Sequence, residues 1–189
     1  MRLCSVIEAI GTRSVRGDSL KRGGRAAELY RRHAPNAFRL AYLLTGDRAV
    51  AEDLVHEAFI KVVGRFQDLR DPASFPAYLR RAVINLANSH LRRVRLERDH
   101  LRKEAAPRHV VDQPDLGTRE ELKTALLELP IRQRTAIVLR YYEDLSERQA
   151  ADAMGISDGA VKSLVARGMD TLRKDVTREP LRGSSGGNG

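Results

Sequence analysis

Two stretches of this sequence carry side chains able to grip a polyanion, and a third carries the opposite charge. Between Tyr78 and Lys103 stand eight Arg or Lys residues (Arg80, Arg81, Arg92, Arg93, Arg95, Arg98, Arg102, Lys103) against only Glu97 and Asp99. A helix so charged favours a phosphate backbone and binds it in a salt-dependent way. Asn85, Asn88 and Tyr78 in the same run supply amide and aromatic groups of the kind that read or stack on bases. Further on, Ser157, Asp158, Gly159, Lys162, Ser163 and Arg167 share one side of a predicted helix, where Lys162 and Arg167 can meet phosphates or guanine edges. The third group is Glu52, Asp53 and Glu57, an acidic face in a chain with 34 Lys+Arg against 25 Asp+Glu, a net charge of +9. Charge runs are most often solvated faces, and an acidic face is either solubilising surface or a dock for a basic protein partner.

Other chemistry finds little support. His33, His56, His90, His100 and His109 are scattered with no His-Glu-x-x-His spacing, Cys4 is the single cysteine, and no phosphate-cradling glycine loop is present. The expectation is a protein that is not an enzyme, with no catalytic residues, metal, cofactor or small-molecule substrate. A sequence pI of about 10.2 makes nucleic acid or an anionic membrane surface the natural partner. No apolar run approaches the roughly 18 residues of a spanning helix, so membrane insertion is not expected. The first ten residues, interrupted by Glu8, make a poor secretory signal, which points to the cytoplasm.

The elements that must hold these groups are helices. Leu29, His33, Ala37, Leu40, Ala41 and Leu44 recur at three- and four-residue steps, and Thr45-Gly46-Asp47 closes that run in turn chemistry. Ala51, Leu54, Val55, Ala58, Phe59, Val62 and Phe66 form the stripe of a second helix, with the acidic residues elsewhere on its surface. Ser74 can cap a third, buried through Leu79, Ala82, Val83, Leu86 and Ala87. Past a segment with two prolines come a short helix buried through Leu122, Ala125, Leu126 and Leu129, and another from Pro130 to Tyr142. The predicted architecture is all-α: two small helical domains, residues 25–104 and 118–176, joined by a flexible linker at 105–117. A disordered basic leader at 1–24 and a disordered tail at 177–189 flank them.

Residues 146 to 174 have helix-turn-helix grammar. Ser146-Glu-Arg-Gln149 has capping-box spacing, Met154-Gly155 ends a two-turn helix, and Ser157 caps a longer one with a narrow seam at Val161, Val165, Gly168 and Leu172. A helix packed by one edge leaves its N-terminal side chains free for a major groove, with its positive dipole end toward phosphate. One reading is a regulator that binds an operator as a dimer; another is a protein-interaction module whose basic helices meet acidic partners.

The residues also carry a family resemblance. Leu43-Leu-Thr-Gly-Asp-Arg48 with Ala51-Glu-Asp-Leu-Val-His-Glu-Ala-Phe59, and Tyr78-Leu-Arg-Arg81 with Asn85 and Leu91-Arg-Arg93, resemble region 2 of extracytoplasmic function (ECF) sigma factors. Leu129-Pro-Ile-Arg-Gln-Arg-Thr135, Leu139-Arg-Tyr-Tyr-Glu143 and Gly155-Ile-Ser-Asp-Gly-Ala-Val-Lys-Ser163 resemble region 4 of the same family. The likeness runs in order from about residue 25 to about residue 175. It implies that Glu52, Asp53 and Glu57 dock on core RNA polymerase. It further implies that the Asp68–Ser74 loop, with Tyr78, Arg80, Arg81, Asn85, Asn88, Arg92 and Arg93, recognises and melts a promoter −10 element by capturing an unstacked base. Ser157, Asp158, Gly159, Lys162, Ser163 and Arg167 would read the −35 element, and an anti-sigma factor would be a compatible further partner. The sequence departs from the family pattern at His56 (usually Gln), Tyr78 (usually Trp), Leu164 (often basic) and Ala166 (often His).

Overall fold

The computed structural model describes residues 16–66, 72–104 and 118–177. Seven α-helices and no strand occur among them: α1 (Arg16–Thr45), α2 (Arg48–Phe66), α3 (Phe75–Glu104), α4 (Thr118–Glu128), α5 (Ile131–Ile137), α6 (Glu147–Met154) and α7 (Asp158–Thr177). A short 3-10 turn at Pro72–Ser74 precedes α3, and α5 runs on into a π-helical turn over Val138–Tyr142. The 105–117 linker, the far leader and most of the tail lie outside the described residues.

Helices α1, α2 and α3 pack around one another because each buries the stripe its periodicity marks. Leu40, Ala41, Leu44, Ala51, Val55, Ala58, Phe59, Val83 and Ala87 are all buried. The centre is aromatic: Phe59 lies 4.7 Å from Tyr30 and 5.6 Å from Phe75, ring centre to ring centre. His33 sits 5.4 Å from Phe75, and burial, then the neighbouring Arg32, hold its imidazole below the ordinary value. Gly46, at φ +75°, turns the chain between α1 and α2, and Asp47 Oδ1 accepts the Val50 N–H at 3.0 Å to start α2.

Three expectations need correction. Helix α1 begins at Arg16, so residues 16–24 are helical rather than disordered; extending a packed helix avoids the unfavourable nucleation step. Leu122, assigned to the buried stripe of α4, is 54% exposed, because α4 turns Ala125 and Leu126 toward its neighbours, with Leu129 buried just past its end. The helix from Pro130 does not stay α-helical to Tyr142 but widens from Val138 onward.

Arg134 is the least expected core residue, with 7% of its surface exposed. Its guanidinium donates to the carbonyls of Leu44 and Leu127, and to Leu129 O at 3.1 Å. These oxygens lie where α1 and α4 end, so one cation satisfies helix-terminal acceptors from both halves of the molecule. Burial pushes the guanidinium below its ordinary value. Replacing Arg134 by Met should leave these buried acceptors without that donor and cost on the order of 3 kcal/mol in urea unfolding. A loss under about 0.5 kcal/mol would contradict the assignment.

Candidate nucleic-acid interface

The C-terminal half presents α7 by one edge. At about 100° per residue, Val161, Val165, Gly168 and Leu172 face inward, while Gly159, Lys162, Ser163, Ala166 and Arg167 occupy the opposite side. All five of the latter except Gly159's missing side chain offer exposed atoms, and Ser157 and Asp158 are exposed at the N-terminus. The preceding helix is set by chemistry the sequence spells out. Ser146 Oγ accepts the Gln149 N–H at 3.2 Å, Gln149 Oε1 accepts the Ser146 N–H at 2.8 Å, and Gly155 closes α6 in the left-handed region. Ser157 Oγ then accepts the Ala160 N–H at 3.3 Å. The turn therefore fixes the direction in which α7 leaves.

Within α7, Arg167 Nε donates to Ser163 O at 3.2 Å, and the Ser163 hydroxyl donates to Gly159 O at 3.0 Å. These are exposed bonds that a groove can replace at little cost. The Asp158 carboxylate in the first turn complements the helix dipole and competes with phosphate for that end.

On α3 the candidates divide. Tyr78, Arg81, Asn85, Asn88 and Arg92 fall within roughly 80° of arc and form one continuous stripe, Tyr78 being 45% exposed. Arg93 flanks it and lies 3.8 Å from Glu97. Arg80 does not share that face: it points along the packed side, where its Nε meets Glu143 Oε2 at 3.1 Å. Of the loop before α3, residues 68–71 lie outside the described residues.

The acidic group is exposed on α2, with Glu52 held by Arg48 at 3.2 Å and Glu57 by Lys61 at 2.6 Å. Exposed i,i+4 pairs of this kind are worth a few tenths of a kcal/mol and exchange readily for another cation. Glu52 also rims a groove of about 430 Å³ between α1 and α2, floored by Tyr30, Ala34, Phe38 and Val55 beside His56. Desolvation, then the Glu52 charge, pushes the Tyr30 phenol up. Sequence reasoning missed this groove, although Tyr30, Ala34 and Phe38 follow a four-residue step that marks it. It also missed the Arg80–Glu143 ion pair, which joins residues 63 positions apart and so leaves no local signal. Among the described residues no cluster of His, Cys, Asp and Glu is placed to hold a metal ion, and no helix is long and apolar enough to cross a membrane.

Comparison with known proteins fits both halves. A family model for sigma-70 region 2 matches residues 29–97, and one for sigma-70, region 4, matches residues 119–172. The chain is 36% identical over 157 residues to the ECF RNA polymerase sigma factor SigE of Mycolicibacterium smegmatis, covering 77% of this chain and 59% of that protein. It is 32% identical over 145 residues to the RNA polymerase sigma-E factor of Streptomyces coelicolor, covering 76% of this chain and 81% of that protein. Among solved structures, the sigma factor RpoE of Bartonella quintana, crystallised with the anti-sigma factor NepR, superposes with a TM-score of 0.63 at 24% identity, over 81% of this chain and 97% of that one. The chain belongs to the ECF sigma factors of RNA polymerase, within the sigma-70 family.

The orientation of α7 depends on Gly168, where an added Cβ would lie 2.6 Å from Ile137 Cδ1 and 3.3 Å from Gln133 Cβ. Gly168→Val should destabilise the C-terminal half by about 1–3 kcal/mol in denaturant titrations, and Gly168→Ala by less, since the Ile137 tip can move. Equal stability of the valine variant and the parent would contradict this packing.

Proposed function

We propose that this chain binds core RNA polymerase and directs it to promoters, gripping the −10 element with the outward stripe of α3 and the −35 element with α7. The observation that carries the reading is the pairing, in a sigma-70 family chain, of two basic helices: α7, with Lys162, Ser163 and Arg167 exposed on the side away from its packed seam, and α3, with Tyr78, Arg81, Asn85 and Arg92 exposed along one stripe. Lys162 and Arg167 serve as groove and phosphate contacts, with Ser163 as a polar reader. Tyr78 is the stacking platform for an unstacked base; Arg81 and Arg92 hold the strand, and Asn85 and Asn88 supply amides. Stacking on the order of 1–3 kcal/mol per base offsets much of the cost of unpairing.

Glu52, Asp53 and Glu57 carry the docking contact, with the adjoining α1–α2 groove adding apolar area beside the charges. Electrostatic complementarity of that kind supplies register and on-rate. Sigma factors are non-catalytic specificity subunits; we take this chain to work the same way, in the cytoplasm, making and breaking no bond itself. An anti-sigma partner, as NepR is for the Bartonella RpoE, is a consistent means of control.

Run-off transcription with purified core polymerase and a promoter panel tests the reading. The expected result is specific initiation by the parent chain and loss of core co-purification in Glu57→Arg, with helical content unchanged. Lys162→Ala and Arg167→Ala should each weaken use of promoters with an intact −35 element by roughly tenfold, as expected for one lost base or phosphate contact. Transcription indistinguishable from core enzyme alone would overturn it.

A further inference from the structure

The groove between α1 and α2 is an apolar hollow left open among the described residues. It holds about 430 Å³, floored by Tyr30, Ala34, Phe38 and Val55 and rimmed by Arg31 and Glu52. Tyr30, Ala34 and Phe38 pack on the core yet stay partly exposed along this side. Pro35, inside α1, brings no N–H, so the Arg31 carbonyl at the rim lacks its helical donor. Nearer the start of α1, Gly23, Gly24 and Ala27 stand on the face that leads to the groove. Glycine weakens a helix interior relative to alanine. A Cβ built on Gly24 would meet nothing within 4 Å, so no described neighbour accounts for it.

The chain itself supplies a segment that fits. Residues 1–15 lie outside the described residues, but their sequence sets Leu3, Val6, Ile7 and Ile10 at three- and four-residue steps, the apolar stripe of a helix, with Ser5 and Glu8 opposite. Gly11 follows and permits a turn. Residues 11–15, extended, span about 17 Å. Stepping about 10 Å sideways, one interhelical distance, leaves roughly 14 Å along the axis of α1, the rise of about nine helical residues. The stripe can therefore start beside Arg25 and run back past Tyr30 to the floor of the groove. In a right-handed helix antiparallel to α1 with this stripe facing down, Arg2 falls on the α2 side and Cys4 on the α1 side. The long Arg2 side chain then approaches Glu52, and Cys4 comes level with Arg31.

We infer that residues 2–10 dock in the α1–α2 groove of their own chain as an amphipathic helix, with Leu3, Val6, Ile7 and Ile10 against its floor and Arg2 beside Glu52. Burial of four aliphatic side chains drives the docking, and the tether keeps the segment at high local concentration. So short a helix is marginal in water, so its order comes from the groove. The Arg48–Glu52 pair is exposed and exchanges readily for another cation, which lets Arg2 take its place. Because the groove adjoins Glu52, Asp53 and Glu57, the docked segment competes there with core polymerase. That competition rests on the function proposed above, whereas the docking of the segment does not.

The test uses the full chain with its native Cys4 and one added cysteine, at Arg31→Cys on the groove rim or at Arg32→Cys, the next exposed residue about 100° round α1. A disulfide needs Cα atoms within about 7 Å. In dilute solution with oxidised glutathione, the bond to Cys4 within one chain should form at least about tenfold faster in Arg31→Cys than in Arg32→Cys. Adding Leu3→Asp and Ile7→Asp should bring the two rates within about twofold of each other. Arg2→Glu should slow the Arg31→Cys bond about threefold, and Arg2→Glu combined with Glu52→Arg should restore it, which separates a lost contact from a damaged fold. Equal rates at the two positions without the Asp substitutions overturn the inference. So does a bond found only between two chains, which assigns the groove to a second copy. Saturating core polymerase should slow the bond about tenfold; a fast bond indifferent to polymerase would uphold the docked segment and count only against the core-docking face.

Discussion

The buried guanidinium of Arg134 is the interaction on which the rest of the structure depends. Helix ends expose carbonyls that need donors, and here the ends of α1 and α4 meet inside the protein, away from water. One planar cation reaches Leu44 O, Leu127 O and Leu129 O together, which a lysine ammonium on a single stem does not match in geometry. With those ends tied, α5 starts at a fixed angle, Gly168 lets α7 lie close along it, and the side of α7 that bears Lys162, Ser163 and Arg167 is turned outward. The placement of α7 thus traces back to three backbone oxygens.

A second constraint divides charge among surfaces. A chain of net charge +9 gathers cations on α3 and α7 while α2 keeps Glu52, Asp53 and Glu57 on its outer face. Two partners of opposite character can then be held at once, since a surface that attracts phosphate repels a basic protein and the reverse.

Much of this was legible in the sequence. Stripes such as Leu40–Leu44 and Ala51–Val62 name the buried faces because periodicity records which side of a helix avoids water. Gly46, Gly155 and the Ser146–Gln149 box name the turns because each supplies a local conformation or a local hydrogen bond. What periodicity does not record is which element covers a face. Leu122 has the right spacing and stays exposed, since α4 is covered along Ala125, Leu126 and Leu127 instead. Arg134 reads as a surface cation, yet its partners include a carbonyl 90 residues earlier. Arg80 belongs to the charged run of α3, yet its angular position puts it among Ile84 and Ala87, facing the other half. The charged stripe told which chemistry was present; tertiary packing decided which members of it face outward.

The most direct measurement is the affinity of a promoter duplex, labelled for fluorescence anisotropy, for the chain alone, for core polymerase alone and for the two combined, across a range of salt. The account predicts specific binding only for the combination, with a steep fall as salt rises. Tight, sequence-specific binding by the chain alone, strengthened by its dimerisation and indifferent to core polymerase, would contradict it.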